Sequence, residues 1–153
     1  MRKWVVYILV AALLATAAIL LRGRDRRPET PEATVNTFFE AAARGDDGTY
    51  LDLAAGPLRA GLQETRSQLG AEKFRKGLVD SMAGMKGLAI AAGRDAPPGQ
   101  VALDVEIVFA DRNERQRILL GPRGRGWEIV SISAASGQKP AIPYGTPVFG
   151  PSP

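Results

Sequence analysis

Val101-Ala102-Leu103-Asp104-Val105-Glu106-Ile107-Val108-Phe109-Ala110 is the stretch that decides the fold. Val101, Leu103, Val105, Ile107 and Phe109 alternate with Ala102, Asp104, Glu106, Val108 and Ala110. A period of two belongs to a β-strand that buries one face, because successive side chains of a strand point to opposite sides. Downstream, Asp111-Arg112-Asn113-Glu114 has the composition of a hairpin turn. Arg115 to Leu120 then returns as a strand, Gly121 to Gly126 is a Gly/Pro/Arg turn, and Trp127 to Ser133 is the last strand. Upstream, Leu88-Ala89-Ile90-Ala91-Ala92 reads as a short strand closed by Ala96-Pro97-Pro98-Gly99. The result is an antiparallel meander of about four strands.

Before Gly87 the period is helical. Thr30 can cap a helix, Pro31 suits its first position, and Glu32 suits the positive end of its dipole. Val35, Phe38, Phe39 and Ala42 then fall at i, i+3, i+4 and i+7, one apolar stripe that Gly45 ends. Asp46 or Asp47 caps a short second helix through Tyr50, Leu51 and Leu53. A third helical region runs from about Pro57 to Met85, interrupted near Gly70, with Leu58, Leu62, Leu69, Phe74, Leu78, Met82 and Met85 as its apolar positions. Three helices followed by a curved antiparallel sheet make an α+β domain.

The ends of the chain read differently. Trp4 to Leu21 is uncharged and apolar apart from Tyr7 and Thr16. As a helix it would span ~27 Å, about the hydrocarbon thickness of a bilayer. The competing reading is a cleaved export signal with Ala15-Thr16-Ala17 as its processing site, which would cut inside the apolar run. A single-pass, uncleaved anchor is the better reading. Two basic side chains precede the run and four follow it. The positive-inside rule therefore favours a cytoplasmic domain. Bulky domains often translocate regardless of local charge, and a short basic segment before an apolar run is the layout of an export signal, so the extracytoplasmic side is the preferred reading. The chain thus divides into an anchor and linker (1–30), an α+β domain (31–134) and a Pro-rich, aperiodic tail (135–153) with the composition of an unstructured segment.

Charge follows the same division. The sequence pI of 9.8 suggests a nucleic-acid binder, but residues 1–27 hold six basic side chains against one acidic, and the remainder holds 14 against 15. Basicity belongs to the anchor, and the signs elsewhere are interspersed, so no nucleic-acid partner is expected. The chain has no cysteine and no histidine. Disulfides, thiol nucleophiles, zinc–thiolate sites and Ser–His or Cys–His catalysis are all excluded. Any enzyme chemistry must rest on Asp, Glu, Tyr, Lys or Arg.

Thr34-Val35-Asn36-Thr37-Phe38-Phe39-Glu40-Ala41-Ala42-Ala43-Arg44-Gly45-Asp46, followed by Tyr50 and Leu53, resembles the opening of cone-shaped domains of the nuclear transport factor two-like superfamily. Gly126-Trp127-Glu128-Ile129-Val130-Ser131-Ile132 resembles the final strand of such domains. The resemblance spans roughly residues 31–134. It implies a fold more than an activity, because members include isomerases, dehydratases, ligand-binding modules and membrane-tethered or secreted domains. Its isomerase-like members use a carboxylate base with Tyr or Asp donors inside the cone. Those positions have no match here, so no catalytic, cofactor-binding or metal-ligating residue is assigned, and no cofactor is expected.

Several constellations nevertheless carry chemistry. Asp46-Asp47 can ligate a metal or cap a helix, and capping is the commoner use. Asp104 and Glu106 share the polar face of their strand, where either can serve as a general base inside a cone or pair with Arg115 or Arg117 across the hairpin. Tyr50, Phe38 and Trp127 can line a pocket or pack a core. Gly121-Pro122-Arg123-Gly124-Arg125-Gly126 lacks the ending of a phosphate loop and opens a strand, so it is a turn. Tyr144-Gly145-Thr146-Pro147 can be a short docking segment for a partner or plain unstructured tail, and the tail is the commoner case. Two functions follow: a membrane-tethered, non-catalytic module that binds a partner protein or small ligand, or a small isomerase- or dehydratase-type enzyme using Asp104 or Glu106 with Tyr50.

Overall fold

The structure is a computed structural model that describes residues 27–134 and 136–138. Four helices precede an antiparallel sheet: α1 (Pro31–Arg44), α2 (Asp47–Leu53), α3 (Gly56–Leu69) and α4 (Ala71–Ser81), then β1 (Met85–Ala92), β2 (Val101–Phe109), β3 (Asn113–Arg123), β4 (Gly126–Ile132) and β5 (Ser136–Gln138). The strand order is β1-β2-β3-β4, with β5 paired to β3. The α+β class is as the periodicity requires. The counts differ by one each: four helices rather than three, five strands rather than about four.

Both differences have local causes. Gly70 adopts φ +82° and ψ 150°, a conformation open to glycine almost alone, so the third helical region becomes two helices meeting at a corner. The fifth strand lies in the stretch read as tail. β4 pairs with the Ile118 end of β3 and β5 with Arg115, Glu114 and Asn113. The pairings Ile118↔Ile132 and Arg115↔Ser136 are three positions apart on β3 and four on the other strand, so β5 continues β4 after a one-residue bulge. At the bulge Ser133 repairs the ladder: its backbone N–H donates to the Arg117 carbonyl at 2.9 Å, and its Oγ accepts from the Arg117 N–H at 2.8 Å.

The caps fall where side-chain chemistry puts them. Thr30 accepts from the Ala33 N–H at the start of α1, and Pro31 opens the helix. Gly45 ends it in the left-handed region at φ +66°. Asp46 caps α2 by accepting from the Thr49 N–H at 3.0 Å.

The core lies between the helices and one face of the sheet. Val35, Phe38 and Phe39 of α1 and Leu53 of α2 meet Leu103, Val105, Ile107 and Phe109 of β2, Ile118 and Leu120 of β3 and Ile129 of β4. All are buried, and Ile107, Ile118, Leu120 and Ile129 have no exposure at all. Leu78 belongs to a smaller cluster with Ala42, Leu51 and Phe74. Trp127 is only half-buried, packed at the margin of the main cluster. The outer edge of β4 is covered: Ala54 bridges Ile129, and the Ala55 N–H donates to the Ile129 carbonyl at 2.8 Å.

No helix among the described residues is long and apolar enough to cross a membrane. The apolar run 4–21 and Tyr144-Gly145-Thr146-Pro147 lie outside the described residues.

Candidate functional site

The register of the sheet builds two parallel rows on the face turned away from the helices. In one, Ala89 of β1 stands opposite Glu106 of β2, Glu106 opposite Arg115 of β3, and Arg115 opposite Ser136 of β5. In the other, Ala91 stands opposite Asp104, Asp104 opposite Arg117, and Arg117 is bonded to Ser133. Each row reads small residue, carboxylate, guanidinium, serine. Two-residue periodicity places them together, because the odd positions of β2 are in the core and the even ones must face outward. An open trough of about 690 Å³ lies over these rows, lined by Ala89, Ala91, Asp104, Glu106, Arg115, Arg117 and Ser133, among others.

Both carboxylates are already engaged. Asp104 accepts from Arg117 Nε at 2.9 Å and from its terminal nitrogen at 3.5 Å, a forked pair across the hairpin. Glu106 lies 3.3 Å from an Arg115 terminal nitrogen and accepts from Asn113 Nδ2 at 2.6 Å. The sequence alternatives for this face were a concave catalytic wall or cross-strand pairing with Arg115 and Arg117, and the geometry is pairing. A carboxylate whose lone pairs are committed to a guanidinium is a poor general base. The trough instead offers fixed charges of both signs around an alanine floor, a surface fit to align an extended, dipolar ligand.

Tyr50 is elsewhere. Its ring stacks on Phe38 with centroids 4.0 Å apart and meets the edge of Phe74 at 6.5 Å, on the helix side of the sheet. Burial alone raises its pKa to about 12, so the phenol stays protonated. The sheet therefore separates Tyr50 from Asp104 and Glu106, and the constellation of the enzyme reading is not assembled. Phe38 is buried in the core, and Tyr50 and Trp127, both partly buried, pack against it.

The Asp46-Asp47 pair splits into two roles. Asp46 is the cap, and hydrogen bonds from Thr49 hold its carboxyl below the usual range. Asp47 is nearly buried, and it accepts from Arg66 Nε of α3 at 2.6 Å and Arg75 Nε of α4 at 3.0 Å. Burial opposes its ionisation, but the two guanidiniums prevail and hold its pKa low. Asp47 is a clamp between helices. The sequence gives no sign of it, because its partners stand 19 and 28 residues away. Among the described residues no group of three or more carboxylates is placed to hold a metal. Gly121–Gly126 is part strand and part turn: β3 runs to Arg123, and Gly124, at φ +61°, and Arg125 form the two-residue loop.

Comparison with protein-family models, with curated proteins and with solved structures finds no match.

Proposed function

We propose that this chain is a non-catalytic binding module of the nuclear transport factor two-like type, held at a membrane by residues 4–21, with the domain on the extracytoplasmic side. Its ligand is an extended segment of a partner protein lying in the trough across the two Ala–carboxylate–Arg–Ser rows. One observation carries the reading. The space between helices and sheet is packed solid by side chains such as Phe38, Val105, Ile107 and Phe109, while the open trough lies on the other face with its charges paired and displayed. A catalytic cone needs the reverse arrangement, with an enclosed cavity and a desolvated carboxylate. Fixed charges suit recognition, since they set register and exclude wrongly charged partners.

The test compares recoveries from the same native membranes by full-length chain, wild type and variants. A partner retained by wild type should be lost from Ala91→Trp, which fills the trough, and from Arg115→Glu/Arg117→Glu, which reverses its charge. It should be kept by Gln68→Trp on the exposed surface of α3. Equal retention by all four proteins contradicts the reading. Protection of the domain from protease added to intact cells contradicts the extracytoplasmic placement.

A further inference from the structure

The linker after the apolar run docks onto the domain at one defined place. Arg27 donates from a terminal nitrogen to the Asp52 carbonyl at 2.9 Å, and its guanidinium lies 3.7 Å from the Asp52 carboxylate, which Arg59 also approaches at 3.4 Å. The linker then passes directly against Gly126. A Cβ added there would fall 2.7 Å from the Arg27 Cβ and 2.8 Å from the Pro28 carbonyl oxygen, so the close approach requires glycine. Gly126 pairs with Arg123 at the mouth of the β3–β4 hairpin, whose tip, Pro122-Arg123-Gly124-Arg125, is exposed throughout.

Only residues 22–26 separate Arg27 from the end of the apolar run. Five residues reach at most ~20 Å when fully extended. A linker shorter than its full extension brings the hairpin tip nearer to the ~10 Å over which a charged membrane surface acts at moderate salt. The charges beside the tip suit such a surface: among the described residues Arg27, Arg59, Arg123 and Arg125 stand against Glu29, Asp52 and Glu128. The sequence of residues 22–26 adds three arginines and one aspartate to the chain between them and the apolar run. Arg123 keeps one contact, to Glu128 at 2.9 Å, and both tip arginines are exposed.

We infer that the β3–β4 hairpin tip is a second membrane contact, in which Arg123 and Arg125 rest on anionic lipid headgroups of the bilayer that holds residues 4–21. This inference rests on the anchor reading. It fixes the attitude of the domain, with the β3–β4 end of the sheet against the membrane. The β2–β3 turn, ~35 Å away along the eleven residues of β3, then points outward. The arginines supply an electrostatic attachment that acts through charge and fades with salt.

The chain lacks cysteine, so single probes can be placed in the full-length protein as Pro122→Cys at the tip and Asp111→Cys at the far turn. Each carries a fluorophore in vesicles of neutral lipid, or neutral lipid with a third anionic lipid, containing a headgroup-labelled quencher. The expected result is quenching at position 122 and little at 111. Quenching at 122 should rise roughly twofold or more with anionic lipid, and fall back in Arg123→Glu/Arg125→Glu or in high salt. Equal quenching at both positions overturns the inference, as does quenching at 122 that ignores anionic lipid, charge reversal and salt. Flotation with the vesicles separates the two readings. A chain that floats with an unquenched tip defeats this inference alone, and a chain that does not float defeats the anchor reading and this inference with it.

Discussion

Tyr50 joins the two clusters of the core, packing against both, and its buried phenol links stability to alkaline pH. Its folded pKa, about 12, lies above the unfolded value of about 10. A group raised in this way contributes stability that is complete below pH 10 and is lost as pH climbs from 10 towards 12. Two units correspond to about 2–3 kcal/mol. Denaturation midpoints of wild type and Tyr50→Phe should therefore run parallel up to pH ~9.5, and above pH 10 the wild type should fall relative to Tyr50→Phe. Parallel curves up to pH 11.5 contradict the burial of the phenol. Asp47 gives the opposite case. Its pKa is lowered, so its contribution is present above the unfolded value of ~3.9 and is lost as pH falls through the folded one. Asp47→Asn should cost about 1.5–3 kcal/mol at pH 7, a gap that closes below pH ~4. A constant gap down to pH 2 means the clamp is not ionic. Neither role is legible along the chain. Tyr50 shows only as an apolar position, and the Asp47 partners come from two other helices.

At the scale of elements, what was legible is what local chemistry determines. The alternation from Val101 to Phe109 fixes β2 and its buried face, and Thr30, Pro31 and Gly45 fix both ends of α1. Gly45 provides the sharpest check. Its φ of +66° is costly for any residue with a Cβ, and an added Cβ would also meet Val79 Cγ2 at 3.1 Å. Gly45→Ala should cost about 1–2 kcal/mol, read as a lower denaturant midpoint with unchanged slope. A loss under 0.3 kcal/mol means the α1–α2 corner adopts another conformation. β5 escaped sequence reading for an equally physical reason. Three residues, Ser136-Gly137-Gln138, show no periodicity, and their strand exists only because the Ser133 bulge carries the chain back onto β3. The cross-strand pairing of Asp104 and Glu106 was legible because hairpin register follows from the alternation. The face over which the trough opens was not, because burial of one side does not say whether the other is concave.

For the whole molecule the separation of chemistry from the core is the decisive feature. The carboxylates, guanidiniums and ammoniums among the described residues lie on the outer sheet face, on helix surfaces, in turns or in the linker, with Asp47 nearly buried between guanidiniums. The interior is aromatic and aliphatic apart from the Tyr50 phenol. The shifts this fold imposes move Asp46 and Asp47 down and Tyr50 up, all away from neutrality. With no histidine or cysteine in the chain, no side chain titrates near pH 7 at its unperturbed value. An enzyme of the carboxylate-base type would differ, since a desolvated carboxyl binds its proton near neutrality and tilts stability with pH. The direct measurement is the unfolding free energy of residues 27–153 in water, extrapolated from denaturant series at several pH values from 5.5 to 8. A profile flat to within about 1 kcal/mol is the expected result; a change above about 1.4 kcal/mol, one pKa unit, contradicts a non-catalytic module and makes Asp104 and Glu106 the first residues to mutate.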